Sequence, residues 1–116
     1  MRSEKQYLTD IVEAADAIAR FVANIEREAF LNDELRQSAV MQKIGVIGEA
    51  AGKVSPELRE QYPDVEWPNI VGMRNILVHS YFSIKQGIIW QTATVAVLGL
   101  RDKIAQILEQ EFGASK

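Results

Sequence analysis

Five polar side chains that could act on a phosphodiester lie within residues 74–81: Arg74, Asn75, His79, Ser80 and Tyr81. His79 is the only histidine of the chain. Arginine is a permanent cation whose planar guanidinium suits phosphate oxygens, and histidine exchanges a proton near neutral pH. Such a pair can cleave RNA without a metal ion. The ribose 2′-OH attacks the adjacent phosphate, the imidazole moves protons, and the guanidinium stabilises the charge on the phosphoryl oxygens.

The charges around this segment also favour a phosphate-bearing ligand. From Trp67 to Leu100 there is no Asp or Glu, although the chain has 16 of them, and the only formal charges there are Arg74 and Lys85. Burial would explain the missing acids but not the retained arginine. The net charge of −3 argues mildly in the other direction, because nucleic-acid-binding domains are usually basic.

The spacing of Arg74 and His79 restricts how they can meet. On an ideal helix, two residues five positions apart point about 140° away from each other. Either the helix ends or distorts near His79, or the site combines residues from two copies of the chain. A twofold dimer would also supply two histidines, one as base and one as acid.

The elements that carry these residues are predicted to be helical throughout. Apolar residues recur at helical spacing, and no segment alternates with a period of two. We therefore predict one all-α domain over residues 1–116, an up-and-down bundle of four main helices plus one short helix.

Capping signals predict where these helices begin and end. The first runs from a Ser3/Gln6 capping box to about Phe30, and the second from Asp33 or Glu34 to Lys53. The short helix opens at Ser55-Pro56, the next opens at Trp67-Pro68, and the last runs from about Lys85 to Phe112 behind a Ser83/Gln86 capping box.

Three further expectations concern packing. Gly45, Gly48 and Gly52 lie at helical spacing, which suggests that a neighbouring helix approaches closely. The apolar tract from Ile84 to Leu100 is too short and too polar to span a membrane, so we expect a buried helix there. Phe82 is expected to be an ordinary core aromatic.

The segment from Trp67 to Tyr81 resembles the signature of the HEPN superfamily, in which an arginine, a polar residue, three further positions and a histidine form the ribonuclease motif. Tyr81, two residues after the histidine, resembles the HepT-like branch. Ile47-Gly48-Glu49-Ala50-Ala51, Pro63 before Trp67, and Gly72-Met73-Arg74-Asn75 agree with that branch. The resemblance covers nearly the whole chain.

The resemblance implies a metal-independent endoribonuclease toxin of a toxin–antitoxin pair, active as a homodimer with its cleft at the interface. It implies that Arg74 stabilises the phosphate, that His79 is the acid/base, and that Asn75 is a supporting polar contact; we expect Ser80 to be another. The implied antitoxin is a minimal nucleotidyltransferase of the MntA type, which can transfer AMP onto Tyr81. Glu49 is a possible second-shell residue that orients Arg74 or His79, and a structural salt bridge is an equal alternative.

Composition limits the other possibilities. The chain has no cysteine and one histidine, so we expect no metal site and no cofactor, and a reducing, cytoplasmic setting suits it. The N-terminus does not have the pattern of a signal peptide. A non-catalytic, nucleotide-binding or accessory subunit that partners a nucleotidyltransferase is the alternative function, favoured by the acidic pI near 5.2.

Overall fold

The computed structural model describes residues 2–113, and this part of the chain is helical with no β-strand. The helices are α1 (Glu4–Val22), α2 (Arg27–Leu31), α3 (Glu34–Lys53), α4 (Pro56–Gln61), α5 (Trp67–His79), α6 (Gln86–Gln91) and α7 (Val97–Phe112). A 3₁₀ turn at Tyr81–Ser83 precedes α6, and a π-helical turn at Thr92–Ala96 joins α6 to α7 as one helical run. The predicted all-α fold is confirmed, with one more short helix than expected.

The bundle is arranged around α3. Both α1 and α5 pack against α3, and α7 packs against α1. Burying apolar side chains between these helices supplies the main driving force for folding. The largest fully buried side chains are Phe30, Leu8, Ile11, Ile18, Ile89, Ile104 and Ile107.

Side-chain caps fix the starts of several helices. The Ser3/Gln6 capping box is confirmed: Gln6 N–H donates to Ser3 Oγ (3.2 Å), and Ser3 N–H donates to Gln6 Oε1 (2.7 Å). Asp33 caps α3 by accepting the N–H of Arg36 at 3.0 Å, and that hydrogen bond lowers the pKa of the Asp33 carboxyl. Ser55 caps α4 as predicted from the sequence Ser55-Pro56.

The predicted first helix to Phe30 is wrong, because α1 ends at Val22. Ala23 is extended, and Asn24 adopts a left-handed conformation with φ of 64°. Asparagine tolerates this conformation better than most residues and can therefore follow a helix C-cap. The chain turns there, and the separate helix α2 inserts Phe30 into the core.

The beginning of the last helical run also differs from the prediction. Ser83 lies in the 3₁₀ turn, and α6 has Lys85 at its N-cap with no side-chain hydrogen bond, so the predicted Ser83/Gln86 capping box is wrong. The tract from Ile84 to Leu100 is not a buried helix either. One of its faces contributes to the core, while Ile88, Val95 and Leu98 are each at least half exposed.

Helix α5 is anchored at both ends. Trp67 is buried at its first position, where its indole N–H donates to the carbonyl oxygen of Tyr62 at 3.1 Å, and Leu77 is buried near its end. Pro68 stands in the first turn, where its missing N–H costs no helical hydrogen bond.

Within residues 2–113, no helix is both long enough and apolar enough to cross a bilayer.

Candidate active site

The five motif residues lie along α5 and just beyond its end. Arg74 is in the middle of the helix, His79 is its last residue, and Tyr81 begins the following 3₁₀ turn. Asn75, His79, Ser80 and Tyr81 are exposed, and the Arg74 side chain is 39% exposed. The motif therefore faces solvent and does not form part of the core.

A close approach between α3 and α5 sets the position of Arg74. Gly48 of α3 is buried, and a Cβ atom placed on it would lie 2.3 Å from Arg74 Cβ and 3.2 Å from the carbonyl oxygen of Ile70. The predicted glycine approach is therefore confirmed at Gly48. The prediction is wrong at Gly45, where a Cβ would meet nothing within 4 Å. At Gly52 the nearest atom to such a Cβ would be 3.9 Å away, which is only ordinary van der Waals contact.

The guanidinium of Arg74 faces the carboxylate of Glu49. Arg74 Nη2 lies 3.1 Å from Glu49 Oε1, and Arg74 Nη1 donates to Asn75 Oδ1 at 3.5 Å. The other carboxylate oxygen, Glu49 Oε2, lies 3.8 Å from Lys53 Nζ. Glu49 was predicted to orient Arg74 or His79 or to form a salt bridge, and it pairs with Arg74. Lys53 was not anticipated, although its spacing of four from Glu49 is a recognisable helical ion-pair signal.

Arg74 lines an open groove of about 540 Å³ over α3, with α1 on one side and α5 on the other. We call it the α3 groove. Its charged lining residues are Arg2, Asp10, Glu49, Lys53 and Arg74, and its remaining lining is Tyr7, Met41, Gln42, Gly45, Val46, Ala50, Leu77 and Val78. Arg2 and Asp10 pair with each other at 2.6 Å. The groove thus has a mostly apolar lining that also carries three cations and two carboxylates.

His79 does not line the α3 groove. Its side chain makes no hydrogen bond or ion pair with any residue of the range 2–113. Because α5 ends at His79, one of the two arrangements predicted from the spacing is present: the helix stops where the histidine stands. Even so, a single chain does not bring the imidazole and the guanidinium into one groove.

Tyr81 and Phe82 form a second exposed feature beside the motif. Their rings contact edge to face, with centroids 5.3 Å apart. Phe82 is 99% exposed, so its prediction as a core aromatic is wrong. Both rings line a pocket of about 420 Å³, and Met41 of α3 lines both this pocket and the α3 groove. Met41 therefore lies between the two cavities.

The sequence model of the family described as "Ribonuclease HepT-like" matches residues 11–107. That range contains every motif residue and most of the bundle. The chain belongs to the HepT-like ribonuclease family.

Several curated proteins resemble the chain over nearly its whole length. It is 34% identical to "Putative RNase MJ1216" of Methanocaldococcus jannaschii over 112 residues, which are 97% of this chain and 93% of that protein. It is 33% identical to "Probable ribonuclease HepT" of Thermococcus cleftensis over 106 residues, covering 91% and 96% of the two chains. "Putative RNase TTE0752" of Caldanaerobacter subterraneus subsp. tengcongensis is 32% identical over 111 residues, 96% of this chain and 99% of that protein. No solved structure matches the chain.

The surface of this HepT-like ribonuclease thus offers a guanidinium, an imidazole and a phenol within eight residues of sequence. In the described range 2–113 no group of three or more His, Cys, Asp or Glu side chains is placed to hold a metal ion. The groups that can act on a phosphodiester here are a guanidinium, which is a permanent cation, and an imidazole, which can accept and donate a proton.

Proposed function

We propose that this protein is the endoribonuclease toxin of a toxin–antitoxin pair and cleaves cellular RNA without a metal ion, through Arg74 and His79. The observation that carries the proposal is the exposure of the motif in a chain of the HepT-like ribonuclease family. Both side chains are open to a substrate, and His79 has no competing polar partner in residues 2–113.

The proposed reaction is an internal transesterification. The 2′ oxygen of the ribose attacks the neighbouring phosphorus, and an imidazole accepts the proton of the 2′-OH. The bond from phosphorus to the 5′ oxygen breaks, and that oxygen takes up a proton. The products are a 2′,3′-cyclic phosphate and a 5′-OH end. Arg74 stabilises the negative charge on the phosphoryl oxygens, and Asn75 and Ser80 are the supporting polar contacts.

We also propose that two copies of the chain share the active cleft. One chain has a single histidine, which does not line the groove that holds Arg74, whereas the reaction needs both a base and an acid. Exposed apolar residues flank the motif, with Ile76 50%, Val78 56% and Phe82 99% exposed. A twofold interface formed by these side chains would remove them from water and bring a second His79 to the site.

Tyr81 is the proposed modification site for a nucleotidyltransferase antitoxin. In that reaction the phenol oxygen bonds to the α-phosphorus of ATP, pyrophosphate leaves, and the phenol proton is released. The exposed Tyr81 side chain is accessible to such an enzyme. Its pocket shares the lining residue Met41 with the α3 groove, so an AMP group on Tyr81 would add negative charge and bulk on the side of the molecule that carries the motif.

The test of the nuclease proposal is cleavage of end-labelled RNA by purified protein free of any antitoxin, in the presence and absence of EDTA. We expect EDTA-resistant cleavage that leaves 2′,3′-cyclic phosphate ends. A folded wild-type protein that leaves RNA intact would refute the nuclease proposal and favour an accessory subunit. Cleavage that EDTA abolishes, or that leaves 3′-OH ends, would refute the metal-independent mechanism.

The modification has its own test. Co-expression with a minimal nucleotidyltransferase of the MntA type should raise the intact mass of the protein by the mass of one or more AMP groups, and Tyr81→Phe should prevent the increase. Tyr81→Phe protein that still gains AMP would refute Tyr81 as the site.

A further inference from the structure

The Glu49 carboxylate bridges two cations in the α3 groove. One of its oxygens lies 3.1 Å from Arg74 Nη2 and the other lies 3.8 Å from Lys53 Nζ. Arg74 comes from α5 and Lys53 from the last turn of α3, so the carboxylate connects residues of two different helices.

A phosphodiester shares the two properties that allow this bridge. It carries one negative charge, and it presents two non-bridging oxygens that can face different cations. The position between Arg74 and Lys53 is therefore suited to an RNA phosphate as well as to a carboxylate. No side chain closes the groove at Gly45, whose missing Cβ would meet no atom within 4 Å.

The bridge is also easily displaced. The side chains of Glu49, Lys53 and Arg74 are 53%, 55% and 39% exposed. Ion pairs with this degree of exposure are screened by water and contribute little to stability, so an incoming anion can replace the carboxylate at low cost.

We propose that Glu49 occupies an anion site between Arg74 and Lys53 that an RNA phosphate takes over on binding, which makes Lys53 a second phosphate contact of this ribonuclease. The proposal rests on the proposed function, because it assigns an RNA ligand to the groove. Glu49 then weakens RNA binding until it is displaced. If Glu49 instead held Arg74 in position for the substrate, it would strengthen binding. Arg74 is already fixed at its base by the contact between α5 and Gly48, so the first role is favoured.

The test compares three charge changes on α3: Glu49→Gln, Lys53→Gln and Lys43→Gln. Lys43→Gln is the matched control, because it removes the same charge from the same helix while Lys43 lines a different pocket with Asp10, Glu13 and Asp16. The probe is a labelled single-stranded RNA with 2′-O-methyl groups, which cannot undergo attack by a 2′-OH. Its dissociation constant is measured by fluorescence anisotropy over a range of salt concentrations, and circular dichroism checks each fold.

We expect Lys53→Gln to weaken binding several-fold more than the Lys43→Gln control. It should also make the dependence of log K on log salt shallower by about 0.7, the value for one lost phosphate contact on a single strand. Glu49→Gln should tighten binding about two- to fivefold, because a competing anion is gone. Equal binding by the two lysine variants, or weaker binding by Glu49→Gln, overturns the anion site.

Cleavage of unmodified RNA by the wild-type protein separates this inference from the proposed function. If that protein cleaves RNA while the two lysine variants bind the probe equally, the anion site is wrong and the nuclease stands. If it cleaves nothing while Lys53→Gln alone loses affinity for the probe, the nuclease is wrong and the anion site stands as an RNA-binding site.

Discussion

Replacing Gly48 by alanine tests how the contact between α3 and α5 positions Arg74. The added Cβ would lie 2.3 Å from Arg74 Cβ, whereas ordinary van der Waals contact begins at 3.4 Å. The helices must therefore move apart locally by about 1.1 Å, the difference between these two distances. Arg74 Cβ cannot avoid the clash by rotating its side chain, because the backbone fixes its position.

The expected loss of stability follows from two opposing contributions. Overpacking a helix contact costs about 1–3 kcal/mol. Removing a glycine from a helix interior gains about 0.4–1 kcal/mol, because the unfolded chain has less freedom to lose. We expect Gly48→Ala to lower the free energy of unfolding by about 1–2 kcal/mol. Gly45→Ala on the same helix should raise it by up to about 1 kcal/mol, since its Cβ meets nothing.

Urea unfolding of the two variants and the wild type measures these differences. A Gly48→Ala protein as stable as Gly45→Ala would refute the close contact. Cleavage of RNA gives a second readout, because a shift of about 1 Å in a charge-stabilising residue can cost about 100-fold in rate. Gly72→Ala is the control for activity, because its Cβ would meet nothing within 4 Å although it lies on α5 beside the motif. Equal cleavage by Gly48→Ala and Gly72→Ala would contradict a role of this contact in positioning Arg74.

Three other changes test the site and its scaffold. His79→Ala should reduce RNA cleavage by at least about 100-fold, since it removes the proton-transfer group, while circular dichroism stays unchanged; retained cleavage would exclude His79 as the acid/base. Ser55→Ala should lower the free energy of unfolding by about 1 kcal/mol, because Ser55 Oγ caps α4 and also donates to Glu4 Oε2 at 2.5 Å; an unchanged urea midpoint would contradict this. The pKa of the Asp33 carboxyl is lower in the folded state than the usual value of 3.8. The contribution of this cap to the free energy of unfolding is therefore complete above pH 3.8 and is lost as the pH falls through the pKa of the folded state. Asp33→Asn keeps a good N-cap, so its thermal midpoint should fall less between neutral and acidic pH than that of the wild type; identical pH profiles would show that Asp33 adds no such dependence.

Local capping chemistry allowed several helix bounds to be predicted. Ser55-Pro56 and Trp67-Pro68 mark the starts of α4 and α5, because each signal acts within one turn and needs no tertiary contact. The break after α1 was missed for a different reason. Its apolar stripe continues through Ile25, so periodicity alone favours a longer helix, and Asn24 is a weaker stop signal than glycine.

Exposure was the property least accessible from the sequence. Phe82 is apolar, as are Ile88, Val95 and Leu98, which lie at helical spacing, yet each of these side chains is at least half exposed. Apolar periodicity identifies a face that must be covered, but it does not distinguish coverage by the same chain from coverage by another. The acid-free segment from Trp67 to Leu100 has the same ambiguity, because it contains both buried positions and this exposed face.

The site, too, could be predicted only in part, because some of its features depend on local sequence and others on contacts between helices. The motif residues follow from their types and spacing, and the angle of about 140° between Arg74 and His79 indicated that one continuous, undistorted helix does not bring them together neatly. The Arg74–Glu49 pair could only be suggested, because it depends on how α3 and α5 cross, and that crossing depends on the missing side chain of Gly48. Gly48 thus permits α5 to approach α3 closely at Arg74, the residue that enters the α3 groove. A site that forms in this way must respond to changes on α3, a helix that carries none of the motif residues.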